Sequence, residues 1–490
     1  MLLAELLQKC PMGLYTLIGD ADVDICGIAY DSRRVRPGYL FVAVPGDRVD
    51  GHAYIGKALE LGAVAVLAQY APDEPLPDGV PLLLAHDTRR DMGALAAAFY
   101  GFPAASMRCL ALTGTNGKTT GGYILRHLLE QGLGPAGMIG TVENWVGERR
   151  LPAVRTTPEA LELQQLLAEM RDSGCRYLVM EASSHALVQG RCAAVPFVGA
   201  VYTNLSRDHL DYHGTIEAYA EAKSLLFRSL PADGCAVINI DDEYAAYFAA
   251  ASNAPVITYG RSAAADFRIG EVSCAGDGMR FTLTHGGQDY PVYLPLVGMF
   301  NIYNAVAALA LAVAEGLPVA RAAELLATTP QIPGRMEQLR LGQPYVVAVD
   351  YAHTPDGLLK VLQAARDLQP QRIICVFGCG GDRDHGKRPV MGRIGCENSD
   401  IAIITSDNPR SEEPQAIIDD ILAGCVGCAN YRVVIDRAEA IAAALNEAKA
   451  GDVVIIAGKG HETYQEIGGE KLHFDDREAA AQVLQTLAEK

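Results

Sequence analysis

The stretch Thr113-Gly114-Thr115-Asn116-Gly117-Lys118-Thr119-Thr120 carries the residue types needed to hold a phosphate. Glycines let backbone N–H groups approach an anion. A helix N-terminus adds partial positive charge there, and a lysine reaches the outer phosphate oxygens. The Thr119 hydroxyl is then placed to ligate magnesium. The spacing departs from the commonest phosphate loop, because the position five residues before Gly117 is Leu112 rather than glycine. Taken alone, the stretch also fits an ordinary glycine turn from strand to helix.

Three more polar clusters follow in the same part of the chain. They are Glu181-Ala182-Ser183-Ser184-His185 with Gln189 and Arg191, then Thr203–His213, then Glu221-Ala222-Lys223. A carboxylate and a histidine near a triphosphate suit Mg²⁺. The His209/His213 pair, four apart, also superficially suits zinc, or simply a hydrogen-bonded helix start. The surrounding acids and the phosphate loop favour magnesium. Further on, three turns each follow an apolar run: Gly378–Asp384, Asp407–Pro414 and Gly458–Glu462. Arg383 and Arg410 could clamp a carboxylate, and Glu462 could accept an ammonium group. The alternative is a pair of solvated loop arginines.

These residues need a scaffold that gathers strand ends. Arg108–Leu112 reads as a buried strand, and Ile124, Leu125, Leu128 and Leu129 mark the helix after the loop. Further strands are predicted at 177–181, 197–203 and 236–240, with a small antiparallel patch at 266–295. Strands alternating with helices imply a mostly parallel, doubly wound sheet whose ligands sit at the carboxyl ends of its strands. A second such unit begins after residue 332, with strands at 346–349, 372–377, 401–405, 431–435 and 453–457. The first hundred residues mix short strands (40–44, 63–67) with one helix near 54–61, and Gly101-Phe102-Pro103 reads as a linker. The prediction is therefore an α/β protein of three domains. They are a small mixed α/β domain (1–104), a central phosphate-loop domain (105–332) and a C-terminal Rossmann-like domain (333–490).

Composition narrows the function. The net charge of −18 argues against a nucleic-acid or anionic-membrane surface. No apolar run reaches spanning length, and the N-terminus lacks the features of a secretory signal. Twelve cysteines in 490 residues, mostly in apolar runs, fit buried thiols of a reducing cytosol. The one Cys425/Cys428 pair is weak evidence for zinc. Trp145, the single tryptophan, has no evident role in the sequence.

The strings TGTNGKTT (113–120), EASSH (181–185), TNLSRDHLDYHG (203–214), EAKSLLF (221–227), GMFNIYNA (298–305), PGRMEQ (333–338), DYAHTPD (350–356), GCGGDRDHGKRP (378–389), DNPRSEEP (407–414) and AGKGHE (457–462) occur in this order. Together they resemble the ATP-dependent Mur ligases of peptidoglycan synthesis, over about residues 30–477. The resemblance implies UDP-, ATP- and amino-acid-binding domains in a cytoplasmic, monomeric enzyme. It also implies the family's own shortened phosphate loop.

Carried over position by position, the resemblance implies several sets of residues. Ser32, Asp47, Arg48, Val49, Thr156, Thr157, Ser183, Gln189 and Arg191 should hold UDP-N-acetylmuramoyl-L-alanyl-D-glutamate. Gly114, Thr115, Asn116, Gly117, Lys118, Thr119 and Thr120, with Asn301, Arg335 and Asp350, should hold ATP. Thr119, Glu181, His209 and a CO₂-derived carbamate on Lys223 should ligate Mg²⁺. Lys118, Glu181, His209 and Lys223 are then the catalytic set. Arg383, Asp407, Asn408, Pro409, Arg410, Gly458 and Glu462 should hold the incoming amino acid. Ligases of this family that add lysine lack the arginine of the 407–410 turn. Arg410, with Asp407 and Asn408, suits the second amino-acid head of meso-diaminopimelate, and such a clamp could reject lysine by roughly ten-thousand-fold. Arg155 stands before the Thr156-Thr157 pair where some relatives carry asparagine. Competing readings are a ligase of the same architecture with another acceptor, an ATPase that forms no peptide bond, and a regulatory protein with a dead site.

Overall fold

Runs of Val, Ile, Leu and Ala bounded by glycine or polar turns form strands buried on both faces, the pattern of a parallel sheet covered by helices. The computed structural model describes residues 1–10, 15–46, 49–274 and 278–488. They fall into two compact units, residues 1–265 with 307–318, and residues 266–306 with 319–490.

The first unit opens with α1 (Leu3–Lys9), β1 (Tyr15–Ile18), β2 (Gly27–Ala29), β3 (Tyr39–Val42), α2 (Ile55–Glu60), β4 (Ala63–Ala68), β5 (Leu82–Ala85) and α3 (Thr88–Phe99). The strands form a sheet in the order β1-β5-β4-β3-β2, parallel except for β1. The sequence predicted one helix here, whereas the described residues hold three α-helices. Half of the buried residues of α3 are alanine or glycine, which leaves few large apolar residues to mark a period, and its start is set by Asp87, whose carboxylate accepts from Arg89 N and Arg90 N at 3.1 Å each.

The same unit continues with β6 (Arg108–Thr113), α4 (Lys118–Gly132), β7 (Ala136–Ile139), β8 (Glu143–Val146), β9 (Arg149–Pro152), α5 (Ala160–Asp172), β10 (Tyr177–Glu181), α6 (Ser184–Val188), β11 (Phe197–Tyr202), α7 (Leu210–His213), α8 (Ile216–Arg228), β12 (Cys235–Asn239), α9 (Ala245–Ala251) and β13 (Val256–Gly260). Strand order is β13-β12-β11-β6-β10-β7-β8-β9, parallel from β13 to β7 and antiparallel beyond. Strand β6 lies between β10 and β11. The segments leaving their carboxyl ends, after residues 113, 181 and 202, are therefore neighbours. Trp145 on β8 lies between the Arg126 and Arg150 guanidiniums, 3.9 and 4.2 Å from its ring centre, and donates Nε1 to Glu143. Its role is packing.

The second unit begins with an antiparallel meander, β14 (Phe267–Cys274), β15 (Met279–His285) and β16 (Gln288–Leu294), where the sequence predicted such a patch. Helix α10 (Met299–Ala314) starts in this unit and ends in the first. Then come α11 (Val319–Leu326), β17 (Glu337–Leu339), β18 (Val346–Asp350), α12 (Pro355–Asp367), β19 (Ile373–Phe377), α13 (Lys387–Asn398), β20 (Ile401–Ile404), α14 (Pro414–Leu422), β21 (Tyr431–Val433), α15 (Arg437–Glu447), β22 (Val453–Ala457), the hairpin β23 (Tyr464–Ile467) and β24 (Glu470–His473), and α16 (Asp476–Ala488). The sheet order is β17-β18-β22-β19-β20-β21, with only β17 antiparallel. The turns after β18, β22, β19 and β20 thus share one edge. All twelve cysteines are free thiols.

Candidate active site

Strand β6 delivers the chain into the phosphate loop at Gly114, whose φ is +145°. A Cβ there would lie 1.9 Å from the Thr203 hydroxyl, so the loop and the segment after β11 approach too closely for any side chain. That segment braces the loop throughout. Thr115 N donates to Asn204 O (2.8 Å), Asn116 N to Asn204 Oδ1 (3.1 Å), and Thr203 Oγ1 to Asn116 O (2.6 Å). Lys118 begins α4 and folds its ammonium back onto Gly114 O (2.8 Å) and Thr115 O (2.9 Å). Thr119 and Thr120 are buried in the first turn of that helix.

Glu181 ends β10 and is almost fully buried. Its Oε2 accepts from the Thr119 hydroxyl (3.0 Å) and the Thr141 hydroxyl (2.9 Å), and its Oε1 from Thr141 N (2.9 Å). Carboxylate and loop hydroxyl thus stand together as oxygen donors of the kind Mg²⁺ takes. Lys223, on α8, is fully buried and donates to Gly114 O at 2.8 Å, its ammonium 4.4 Å from the Tyr219 ring centre. Burial, and then the Lys118 charge, hold its pKa well below the ordinary lysine value. A buried amine that loses its proton readily is chemically suited to take up CO₂, so these residues fit both the metal and the carbamate. His209 is half-exposed at φ +53°, with its ring edge-on to His185 at 5.0 Å and 6.1 Å from the Tyr219 ring beside Lys223. Among the described residues, no three His, Cys, Asp or Glu side chains form a ready metal cage. Mg²⁺ bound here would keep water and phosphate ligands, as it commonly does.

The residues expected to hold the acceptor peptide form a connected network beside Glu181. Thr156 Oγ1 meets Thr141 Oγ1 at 3.1 Å. Thr157 Oγ1 bonds Glu181 O (2.8 Å) and the Ser183 hydroxyl (3.2 Å), and Ser183 caps α6. Arg191 donates to Thr157 O (3.1 Å) and to Gln189 Oε1 (2.5 Å), and Gln189 Nε2 reaches the Tyr212 hydroxyl (3.3 Å). Ser32 is buried in a short 3-10 turn, Ser32–Arg34, outside this network, and Val49 is exposed. Asp47 and Arg48 lie outside the described residues. Thr141 was missed by the sequence reading. It sits at a strand end beside a glycine, with no motif around it.

In the second unit, Asp350 ends β18 and accepts from Met336 N (2.7 Å) and Ala352 N (2.8 Å). Burial raises its pKa to about 6 against the Arg335 charge. The Arg335 guanidinium lies 4.9 Å from the Tyr351 ring centre. Asn301 is fully buried, with its amide donated to Val297 O at 2.7 Å.

The 407–410 and 458–462 turns meet as expected. Asn408 Nδ2 donates to Glu462 Oε2 (2.8 Å), and Lys459 Nζ bonds both Asn408 Oδ1 and Glu462 Oε2 (3.1 Å each). Gly458, at φ +121°, passes so close to Asp407 that a Cβ would lie 2.6 Å from Oδ2, an oxygen that is buried and has no hydrogen-bond partner. Arg410, at φ +53°, donates to Gly381 O (2.6 Å) and stands 3.4 Å from Glu466. Pro409 leads into it, with its carbonyl accepting from Glu412 N. Arg383 is not brought in. It is exposed and, among the described residues, donates only to Asp382 O within its own turn. Lys459, Glu466 and the buried Arg437 were missed. Arg437 lies at the start of α15, far in sequence from the turns it braces. It bonds Asp476 twice at 2.7 Å, Ala457 O at 3.0 Å and Ser406 O at 3.4 Å, so one guanidinium ties the ends of two strands to α16.

Comparison with known proteins gives three domain matches: the Mur ligase family catalytic domain over residues 24–100, the Mur ligase middle domain over 112–312, and the Mur ligase glutamate ligase domain over 334–460. The chain is 45% identical over 488 residues to the UDP-N-acetylmuramoyl-L-alanyl-D-glutamate–2,6-diaminopimelate ligase of Syntrophomonas wolfei, covering 99% of each. A solved structure of a ligase of that name aligns with a TM-score of 0.69 at 35% identity, over 95% of this chain and 96% of that one. A D-alanyl-D-alanyl-adding ligase from Acinetobacter baumannii shares the fold at 20% identity, with a TM-score of 0.66 over 100% of this chain and 98% of that one.

Proposed function

The chain belongs to the Mur ligase family, and from that membership we propose that it joins meso-diaminopimelate to the D-glutamyl carboxyl of UDP-N-acetylmuramoyl-L-alanyl-D-glutamate, converting ATP to ADP and phosphate. One observation carries this reading: relatives bearing that activity in their name match the chain from end to end. The chain also keeps both the phosphate loop and the Arg410 turn.

In this reaction the D-glutamyl carboxylate attacks the γ-phosphorus of ATP, and ADP leaves. The amine of diaminopimelate then attacks the acyl phosphate, and phosphate leaves. Both steps bring anions together, so the protein's part is charge neutralisation and positioning. Lys118 is placed to turn from Gly114 O and Thr115 O toward a phosphate. Thr119 and Glu181, with His209 and carbamylated Lys223, would hold Mg²⁺, which would screen the carboxylate from the triphosphate. Thr156, Thr157, Ser183, Gln189 and Arg191 hold the acceptor peptide, and Ser32 and the 47–49 segment the UDP end. Asn301, Arg335 and Asp350 serve the nucleotide. Asp407 Oδ2, buried without a hydrogen-bond partner among the described residues and 4.0 Å from the Arg437 guanidinium, would meet an ammonium group, and Arg410 the distal carboxylate. Residues 1–104, 105–332 and 333–490 would be the UDP-, ATP- and amino-acid-binding domains of a monomeric cytoplasmic enzyme. No helix among the described residues is long and apolar enough to cross a membrane.

The test is phosphate release with ATP, Mg²⁺ and UDP-N-acetylmuramoyl-L-alanyl-D-glutamate, with meso-diaminopimelate or L-lysine added in parallel. Release with diaminopimelate and little with lysine is the expected result. A lysine preference would overturn the role of Arg410, and release with neither would overturn the reaction.

A further inference from the structure

One buried carboxylate next to the acceptor network holds three arginines. Glu159 precedes α5, and its side chain is 9% exposed. It accepts from Arg89 Nη1 on α3 at 2.8 Å and from Arg155 Nη1, and forms an ion pair with Arg191 Nη2 at 3.1 Å. The next carboxylate, Glu162, is engaged by Arg34 and the Tyr30 hydroxyl, each at 3.0 Å. Three guanidiniums against one carboxylate leave the cluster with two surplus positive charges, in a chain whose net charge is −18.

The geometry is that of a prepared site rather than a closed ion pair. Arg191 is 11% exposed on its side chain, and its Nε is buried without a hydrogen-bond partner. Burial, set against the Glu159 charge and added to by Arg155 and Arg89, lowers the Arg191 pKa. Arg155 is 53% exposed, so its cation faces the open side. A buried arginine with an unused N–H, crowded by two further arginines, is unfavourable until an anion arrives. Through Thr157 O, the same Arg191 joins the network that ends at Glu181.

We propose that Glu159 is a positioning residue that assembles Arg89, Arg155 and Arg191 into a net-cationic pocket for a carboxylate of the acceptor peptide. Arg89 and Arg155 then act with Arg191 as specificity-determining residues. This inference rests on the acceptor assigned above. Arg89 ties the pocket to α3, so the helix of the N-terminal sheet and the start of α5 are held in register by the charge that prepares the pocket.

The experiment is steady-state kinetics of Glu159→Gln, which keeps shape and loses charge, and of Arg155→Gln, whose exposed position leaves folding intact. Both should raise the KM for UDP-N-acetylmuramoyl-L-alanyl-D-glutamate by about tenfold or more, while the KM for ATP and for diaminopimelate changes by less than about twofold. Glu159→Asp should recover part of the loss. Equal shifts in all three KM values, or an unchanged acceptor KM in Arg155→Gln, would overturn the inference while the ligase activity stands. If the unmodified enzyme does not use this acceptor at all, the parent assignment falls, and this one with it.

Discussion

Lys118 and Lys223 donate to the same acceptor, the carbonyl oxygen of Gly114, each at 2.8 Å. One comes from the first turn of α4 and the other from α8, 105 residues later in the chain. Two ammonium groups on one carbonyl repel each other, and the buried member gives up its proton more easily. The Gly114 position therefore links the phosphate loop to the lysine expected to become a metal ligand.

That link makes CO₂ dependence testable. Lys223→Ala should lower turnover by about a thousandfold, as loss of an essential charge-stabilising group does. Added formate or acetate should restore part of it by supplying the missing carboxylate. A carbamate carbon resonance after labelling with ¹³CO₂ should be present in the unmodified protein and absent in the variant. Normal turnover in the plain variant would remove the carbamate from the mechanism.

Thr141 shares Glu181 with Thr119, so Thr141→Val should loosen the carboxylate proposed to face Mg²⁺. Removing one hydrogen bond to a buried charged group costs about 1–3 kcal/mol. The Mg²⁺ concentration for half-maximal activity should rise about tenfold, with the KM for diaminopimelate unchanged. An unaltered Mg²⁺ dependence would place Thr141 outside the metal's surroundings.

Arg410→Ala should raise the KM for diaminopimelate by about a hundredfold and that for ATP by far less, because a charge pair in a largely enclosed turn is worth a few kcal/mol. Equal changes for both substrates would remove Arg410 from the amino-acid site.

Arg437 and Asp476 are fully buried and doubly bonded to each other. Asp476→Asn leaves the guanidinium without its counter-charge, which should destabilise the protein by about 3–5 kcal/mol. Denaturant unfolding followed in the second unit reads this directly. A change below about 1 kcal/mol would show that Asp407, 4.0 Å away, already balances the arginine.

Asp350 gives a pH dependence of known sign. Its folded pKa of about 6 exceeds the ordinary 3.8, so the folded state binds the proton more tightly than the unfolded state. The favourable contribution is complete below about pH 4 and is lost as pH rises through 6. Relative to Asp350→Asn, the unmodified protein should lose about 3 kcal/mol of stability between pH 4 and 7. A pH-independent difference would mean that Arg335 cancels the effect of burial.

What the sequence alone determined is local. The buried strands, the phosphate loop and the three turns of the second sheet were legible because each is a contiguous run whose period or glycine content has a direct physical meaning. β6, β10, β11, β18, β19 and β22 all lie within a residue or two of their predicted positions. The first domain was less legible, since the buried side of α3 includes Thr88, Asp91, Gly93 and three alanines beside Met92 and Leu95, so few large apolar residues mark its period. Tertiary structure decided which polar residues meet. Thr141 reaches Glu181 because β7 lies beside β10, and Glu159 collects arginines from positions 89, 155 and 191. Arg437 bonds carbonyls 31 residues before it and 20 after it, each just ahead of one of the turns. Arg383 sits inside a matching motif yet stays in solvent. A hydrogen bond acts over about three ångströms, and the sequence does not fix which residues far apart along the chain come within that distance.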